Sequence, residues 1–200
     1  MTEPLAFRKE NQNILDGRPE EIWLVAKGSD PESLELFLKA YGQIRIRQRS
    51  GYLAIASESE EKTLDIAHIR EKCLEEVFQD FSAFVKPRTL VIPETIIVPV
   101  LMKLSPGIYY FEQFIEKVSL SQLQPAKQWL KHYFENLCGV DVLSSVLGFI
   151  HFDHNASQAA KALFMHRNTL NYRLDLFIRK SGLDIRHFYG SYVLYLLFHS

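Results

Sequence analysis

HNASQAAKALFMHRNTLNYRLDLFIRK, residues 154–180, reads as two short helices with almost nothing between them. Asn155 is placed to cap the first helix, and with Gln158 three residues later it resembles a capping box. Ala159, Ala160 and Leu163 form a small-then-large apolar face that lets a second helix cross closely. Phe164 or Met165 stands where such a turn often carries glycine. Met165 fills the join, His166 occupies the next cap, and the second helix runs from Arg167. Projected at 100° per residue, Leu170, Leu174, Phe177 and Ile178 cluster within about 100° of arc as a core stripe. Arg167, Asn168, Asn171, Tyr172 and Asp175 share a separate face about 120° away. All five can hydrogen-bond and none needs burial.

A helix-turn-helix sets the N-terminal half of its second helix into the major groove. Arginine is a bidentate partner for guanine and asparagine for adenine, so the expected base-reading residues are His166, Arg167, Asn168, Asn171 and Tyr172. Phosphate contacts are expected from Asn155 at the start of the first helix, and from the hydroxyls of Ser157 and Thr169. Arg173 and Arg179, off the proposed reading face, reach flanking phosphates or face solvent. Asp175 repels phosphate but can accept from a cytosine amine. The partner so described is double-stranded DNA. One such helix gives too little specificity for a genome, so a homodimer is expected, on half-sites about 34 Å apart or a multiple of that. The competing reading is an adaptor that keeps the helix-turn-helix shape and binds protein, favoured by the formal net charge of −1 and by Asp175.

That near-neutral charge hides an asymmetry. Residues 151–200 hold Lys161, Arg167, Arg173, Arg179, Lys180 and Arg186 against Asp153, Asp175 and Asp184, so the segment is positive and the rest negative. A locally basic segment fits one nucleic-acid-facing module joined to something else. Hydrophobic residues make up 47% of the 200, enough for one domain or two small ones. Cys73 and Cys138 match no metal or redox spacing. The start, MTEPLAFRKENQ, lacks an apolar signal region, and runs such as Ile96 to Met102 are too short to span a bilayer, so no membrane association and a cytoplasmic location are expected.

Upstream, residues 1–20 read as a polar arm. EIWLVAK (21–27) is a buried strand and PESLELFLKAYG (31–42) a helix with a Leu34, Leu36, Phe37, Leu38 stripe. QIRIRQ and YLAIAS form a hairpin about Arg49-Ser50-Gly51. The helix ending at Phe81 has Leu64, Ile66, Ile69, Cys73, Leu74 and Val77 as its apolar side, and SAFVKPRTLVIP is a further strand. The order β-α-β-β-α-β is the ferredoxin-like plan, an antiparallel sheet with two helices on one face. From Pro93 the chain reads helical over 93–104, 110–118, 122–137, 140–151, 156–164, 167–180 and 186–199, with Gly139 and Gly182 as helix stops. The fold class is therefore α+β, divided into an arm (1–20), a ferredoxin-like domain (21–92), connecting helices (93–138) and a helix-turn-helix domain (139–200).

The run His166-Arg167-Asn168-Thr169-Leu170, then Tyr172-Arg173-Leu174, then Ser181-Gly182-Leu183-Asp184, resembles the C-terminal helix-turn-helix of the PucR/CdaR (purine catabolism and sugar diacid regulator) family of bacterial transcription factors. The likeness covers about residues 140–199 and extends to the DNA-binding end of the factor for inversion stimulation. It implies a sequence-specific transcriptional regulator. Position 171 is often basic in that family and is Asn171 here, which implies a different target sequence. Many members carry a degenerate GGDEF-like domain upstream, related in fold to nucleotide cyclases. In the active enzymes carboxylates of the hairpin hold metal; the corresponding Arg49-Ser50-Gly51-Tyr52-Leu53 has none, so no catalysis is expected and a structural or dimerising role is preferred over ligand sensing. A small-molecule effector is open but unidentified, and no cofactor is expected. His151 and His154 have a spacing able to hold a metal, but no third ligand accompanies them and Asp153 reads as part of the helix exit.

Overall fold

The computed structural model describes residues 21–27, 31–41, 44–49, 52–57, 64–87 and 90–199. The arm at 1–20, the hairpin tip at Ser50 and Gly51, and the acidic run 58–61 lie outside them. The chain divides into two compact units at Phe111 and Glu112.

In the first unit, β1 (Glu21–Lys27), α1 (Pro31–Tyr41), β2 (Ile44–Arg49), β3 (Tyr52–Ser57), α2 (Ile66–Val77) and β4 (Asp80–Lys86) follow one another, then α3 (Glu94–Lys103) and β5 (Gly107–Tyr109). The sheet order is β2-β3-β1-β4-β5. Central β1 runs antiparallel to both β3 and β4, whereas β5 joins β4 in parallel. Alternation along each strand sorts side chains to two faces. Ile22, Leu24, Leu53, Ile55, Phe81 and Ala83 meet Leu34 and Leu38 of α1 and Ile66, Ile69 and Cys73 of α2 in one core. Asp65 caps α2 by accepting from the His68 N–H at 3.1 Å. Arg70 donates through Nε and Nη2 to the two Asp80 oxygens, each at 2.6 Å, which fastens α2 to β4. Burial pushes the Cys73 thiol up to about 11, with the Asp80 and Glu76 charges adding to it. The same cause lifts Cys138 to about 11, so both thiols stay protonated and poorly nucleophilic near neutrality.

Four expectations change here. Leu36 and Leu74, expected on apolar stripes, are exposed; at 100° per residue Leu36 falls nearly opposite the buried Leu34 and Leu38, and Leu74 lies beyond the arc of Ile66, Ile69 and Cys73. The strand read from SAFVKPRTLVIP spans only Asp80–Lys86, since Pro87 has no N–H to continue a ladder. The other sheet face is not open. Ile97, Val100 and Leu101 of α3 are buried, and α3 packs on β1 and β4. Lys27 Nζ reaches across to donate to the Leu101 and Met102 carbonyls at 2.8 and 2.7 Å, closing the C-terminus of α3. Helix α3 and β5 therefore belong to the sheet unit rather than to a connecting segment at 93–138.

The second unit is α4 (Phe111–Leu120), α5 (Gln124–Cys138), α6 (Val140–His151), α7 (Ala156–Ala162), α8 (Arg167–Ser181) and α9 (Phe188–His199). Phe114, Leu130, Phe134, Val146, Phe177 and Leu194 are fully buried. The Phe134 and Phe177 rings stack at 5.8 Å and bring α5 against α8, so α5 too is part of the helical unit and not a connector. Gly139 and Gly182, expected as helix stops, have φ of 86° and 70°, a region that favours glycine. Among the described residues no single helix is long and apolar enough to cross a membrane.

Candidate nucleic-acid interface

Helices α7 and α8 build the site. The Asn155 side chain caps α7 by accepting from the Gln158 N–H at 3.1 Å. Ala159 and Ala160 are buried, and their small size lets α8 cross against α7, as expected. Leu163 lies against Gly148 of α6, where a Cβ would come within 2.8 Å of its Cδ1. The chain then reverses through Phe164, whose φ is 53°. Met165 N–H donates to the Ala160 carbonyl at 3.0 Å. His166 caps α8 with extended backbone, its Nδ1 accepting from the Asn168 N–H at 3.2 Å. That bond requires the ring proton on Nε2, leaving a donor for a ligand.

Leu170, Leu174, Phe177 and Ser181 are the buried side of α8, and Ile178, expected with them, is half-buried. His166, Arg167, Asn168, Thr169, Tyr172 and Asp175 are exposed and Asn171 is half-buried. The expected reading residues are thus together at one end of one helix, with Ser157 exposed on α7 beside them in sequence.

The arginines sort differently from expectation. Arg173, expected on phosphate or in solvent, turns inward: its Nη1 donates to Ser145 Oγ at 2.9 Å and to the Asp141 carbonyl at 3.2 Å, both on α6. Its place in the helix, about 40° from Phe177 at the edge of the core stripe, is close enough for a long side chain to reach the neighbour. Arg179 is exposed and, seven residues after Tyr172, falls on the same outward face rather than off it. Lys180 donates to the Leu137 carbonyl at 2.8 Å and closes the C-terminus of α5. Arg186 pairs with Asp175 at 2.8 Å. The net positive charge of residues 151–200 therefore overstates the loose charge: Arg173, Lys180 and Arg186 are engaged within the unit, and Lys161, Arg167 and Arg179 are exposed. The same pair answers the objection that Asp175 repels phosphate. Its charge is matched by an arginine eleven residues on, a pairing that no helical spacing in the sequence announces.

Phe164 was also not legible as a site residue. It is 97% exposed in a left-handed conformation, which is unusual for a bulky side chain. The ring contributes no burial to offset the strain. Replacing it by glycine is expected to raise the stability of the helical unit by about 1 kcal/mol, read as a higher midpoint in thermal unfolding; a lower one would mean that the ring supports the turn. Among the described residues no three metal-binding side chains gather, and the His154 ring stacks on Phe149 at 5.1 Å.

In three dimensions the chain is similar to the crystal structure of the Regulator of Polyketide Synthase Expression from Bifidobacterium adolescentis, with 15% identity and a TM-score of 0.48 over 90% of this chain and 78% of that one. Over 49 residues it is 43% identical to the Uncharacterized protein YxkF of Bacillus subtilis (strain 168). That alignment covers 24% of this chain and 16% of its relative. Residues 142–199, which take in α6 from its third residue through α9, match the PucR C-terminal helix-turn-helix domain.

Proposed function

We propose that this chain is a sequence-specific, DNA-binding transcriptional regulator that lays the N-terminal half of α8 in the major groove. The observation that carries it is the exposed row at the start of α8, opposite a fully buried Leu170 and Leu174, within a stretch that matches a helix-turn-helix family. Arg167, Asn168, Asn171 and Tyr172, with His166 Nε2–H, read base edges. Asn155, Ser157, Thr169 and Arg179 hold phosphates, and Arg173 is a brace between α8 and α6. The protein acts as a homodimer on two half-sites and performs no catalysis. The sheet unit is a ferredoxin-like, degenerate GGDEF-like scaffold; its β-α-β-β-α-β order and the neighbours of β1 support that reading.

Arg167→Ala is expected to weaken binding to the preferred duplex by about 1–3 kcal/mol and relax preference at one base pair. Competition binding against duplexes varied one position at a time checks this, and unchanged affinity and preference would remove Arg167 from the reading set. The adaptor reading is tested by salt. If the three exposed cations Lys161, Arg167 and Arg179 release phosphate counterions on binding, log K should fall with log salt at a slope of roughly −3 per protomer. A flat response would favour the adaptor.

A further inference from the structure

The sheet unit has a hollow whose floor is written in the register of its strands. On the sheet face away from α1 and α2, Ala54 of β3 lies between Trp23 of β1 and Arg47 of β2 in one cross-strand row. In the next row Ala56 lies between Glu21 and Arg45, and Glu21 is opposite Lys86. Facing residues on neighbouring strands project to one side only about 5 Å apart. Two alanines flanked by an indole and two guanidinium groups therefore leave a depression. Leu90, Val91 and Ile92 supply its apolar side, and the resulting cleft has a volume of about 460 Å³, within the range of small-molecule sites. Lys86 is already occupied: it meets Glu21 at 3.4 Å and donates to the Leu90 carbonyl at 3.1 Å, fixing that segment on the sheet.

Arginines on an edge strand are ordinary protection against edge-to-edge pairing. The indole is not ordinary. Trp23 is 6% exposed, its ring lies 4.6 Å from that of Tyr52, and among the described residues its buried Nε1–H has no acceptor. A buried donor left unsatisfied costs about 1–3 kcal/mol, and buried indole N–H groups usually find a partner.

We propose that this hollow binds a small organic anion with a flat apolar body, an aromatic carboxylate. The carboxylate lies toward Arg45 and Arg47, one oxygen accepts from Trp23 Nε1–H, and the ring lies over Ala54 and Ala56 against Leu90 and Ile92. The volume suits one small molecule rather than a chain, and the inference stands independently of DNA reading by α8.

The test is calorimetric titration of the full chain with benzoate, 1-naphthoate and indole-3-acetate, each beside its neutral amide, with inorganic phosphate as a further arm. At least one acid is expected to bind with 1:1 stoichiometry and about tenfold or more tightly than its amide, the measure of a well-placed charged contact. Ala56→Leu fills the hollow and should abolish that binding. Arg47→Gln, at an exposed position where folding is not at stake, should weaken it about tenfold. Acids binding no better than their amides, phosphate binding as well as the best acid, or an Arg47→Gln variant that keeps wild-type affinity would each overturn the proposal.

Discussion

Gly190→Ala should be the most damaging single-methyl change in the helical unit. Gly190 is buried in the first turn of α9. A Cβ there would sit 2.8 Å from the Asp184 carbonyl carbon and closer still to its oxygen. The obstacle is backbone, so no rotamer relieves it. The turn it would push on is also tightly held. Leu183 and Ile185 on either side of Asp184 are fully buried, Leu183 N–H donates to Ser181 Oγ, and His187 N–H donates to the Asp184 carbonyl. Overpacking costs about 1–3 kcal/mol where side chains can adjust, and a rigid neighbour puts the expected loss at about 3 kcal/mol or above. Gly107→Ala is the control, since a Cβ there meets nothing nearer than 3.6 Å. Urea unfolding followed by far-UV circular dichroism reads both. Equal midpoints for the two variants would show that α9 slides freely on the 183–187 turn.

That contact could not have been read from the chain. Gly190 looks like an interruption of an apolar helix, and its reason lies in a carbonyl six residues back. What was legible rests on short-range periodicity. The seven helices of the second half were placed within a few residues of where they stand because each carries its own stripe and stop, such as Gly139 and Gly182. The caps at Asn155 and His166 were equally local. The misplaced features depend on partners distant in sequence. Arg173 reads as a residue for phosphate or solvent because nothing in 167–180 says that Ser145 waits beside it. The second layer over the sheet was missed because α3 reads as an ordinary apolar helix until Lys27 is seen holding its last carbonyls. Strand β5 is three residues long, too short for alternation to speak.

Leu170→Ala is the second large effect, and it separates how α8 is seated from what α8 touches. Leu170 is fully buried, one turn into the helix and flanked in sequence by the exposed Thr169 and half-buried Asn171. Its N–H donates to the His166 carbonyl at 3.1 Å, so the side chain anchors the same turn that His166 caps. Truncating a buried leucine costs about 2–5 kcal/mol, more where the cavity cannot collapse. The small Ala159 and Ala160 across the crossing leave little to collapse inward, which favours the upper half of that range. In a small helical unit of marginal stability, much of the protein should then be unfolded near its working temperature, and DNA binding should fall in proportion to the folded fraction. Arg167→Ala, three residues earlier and exposed, should do the reverse: an unchanged unfolding midpoint with weaker, less selective binding. Measuring midpoint and affinity on both variants at low temperature, where Leu170→Ala is still folded, gives the decisive comparison. If Leu170→Ala then binds as wild type while Arg167→Ala does not, α8 reads DNA through its outward row alone; if folded Leu170→Ala binds as poorly as Arg167→Ala, the seating of the helix on α7 is itself part of recognition.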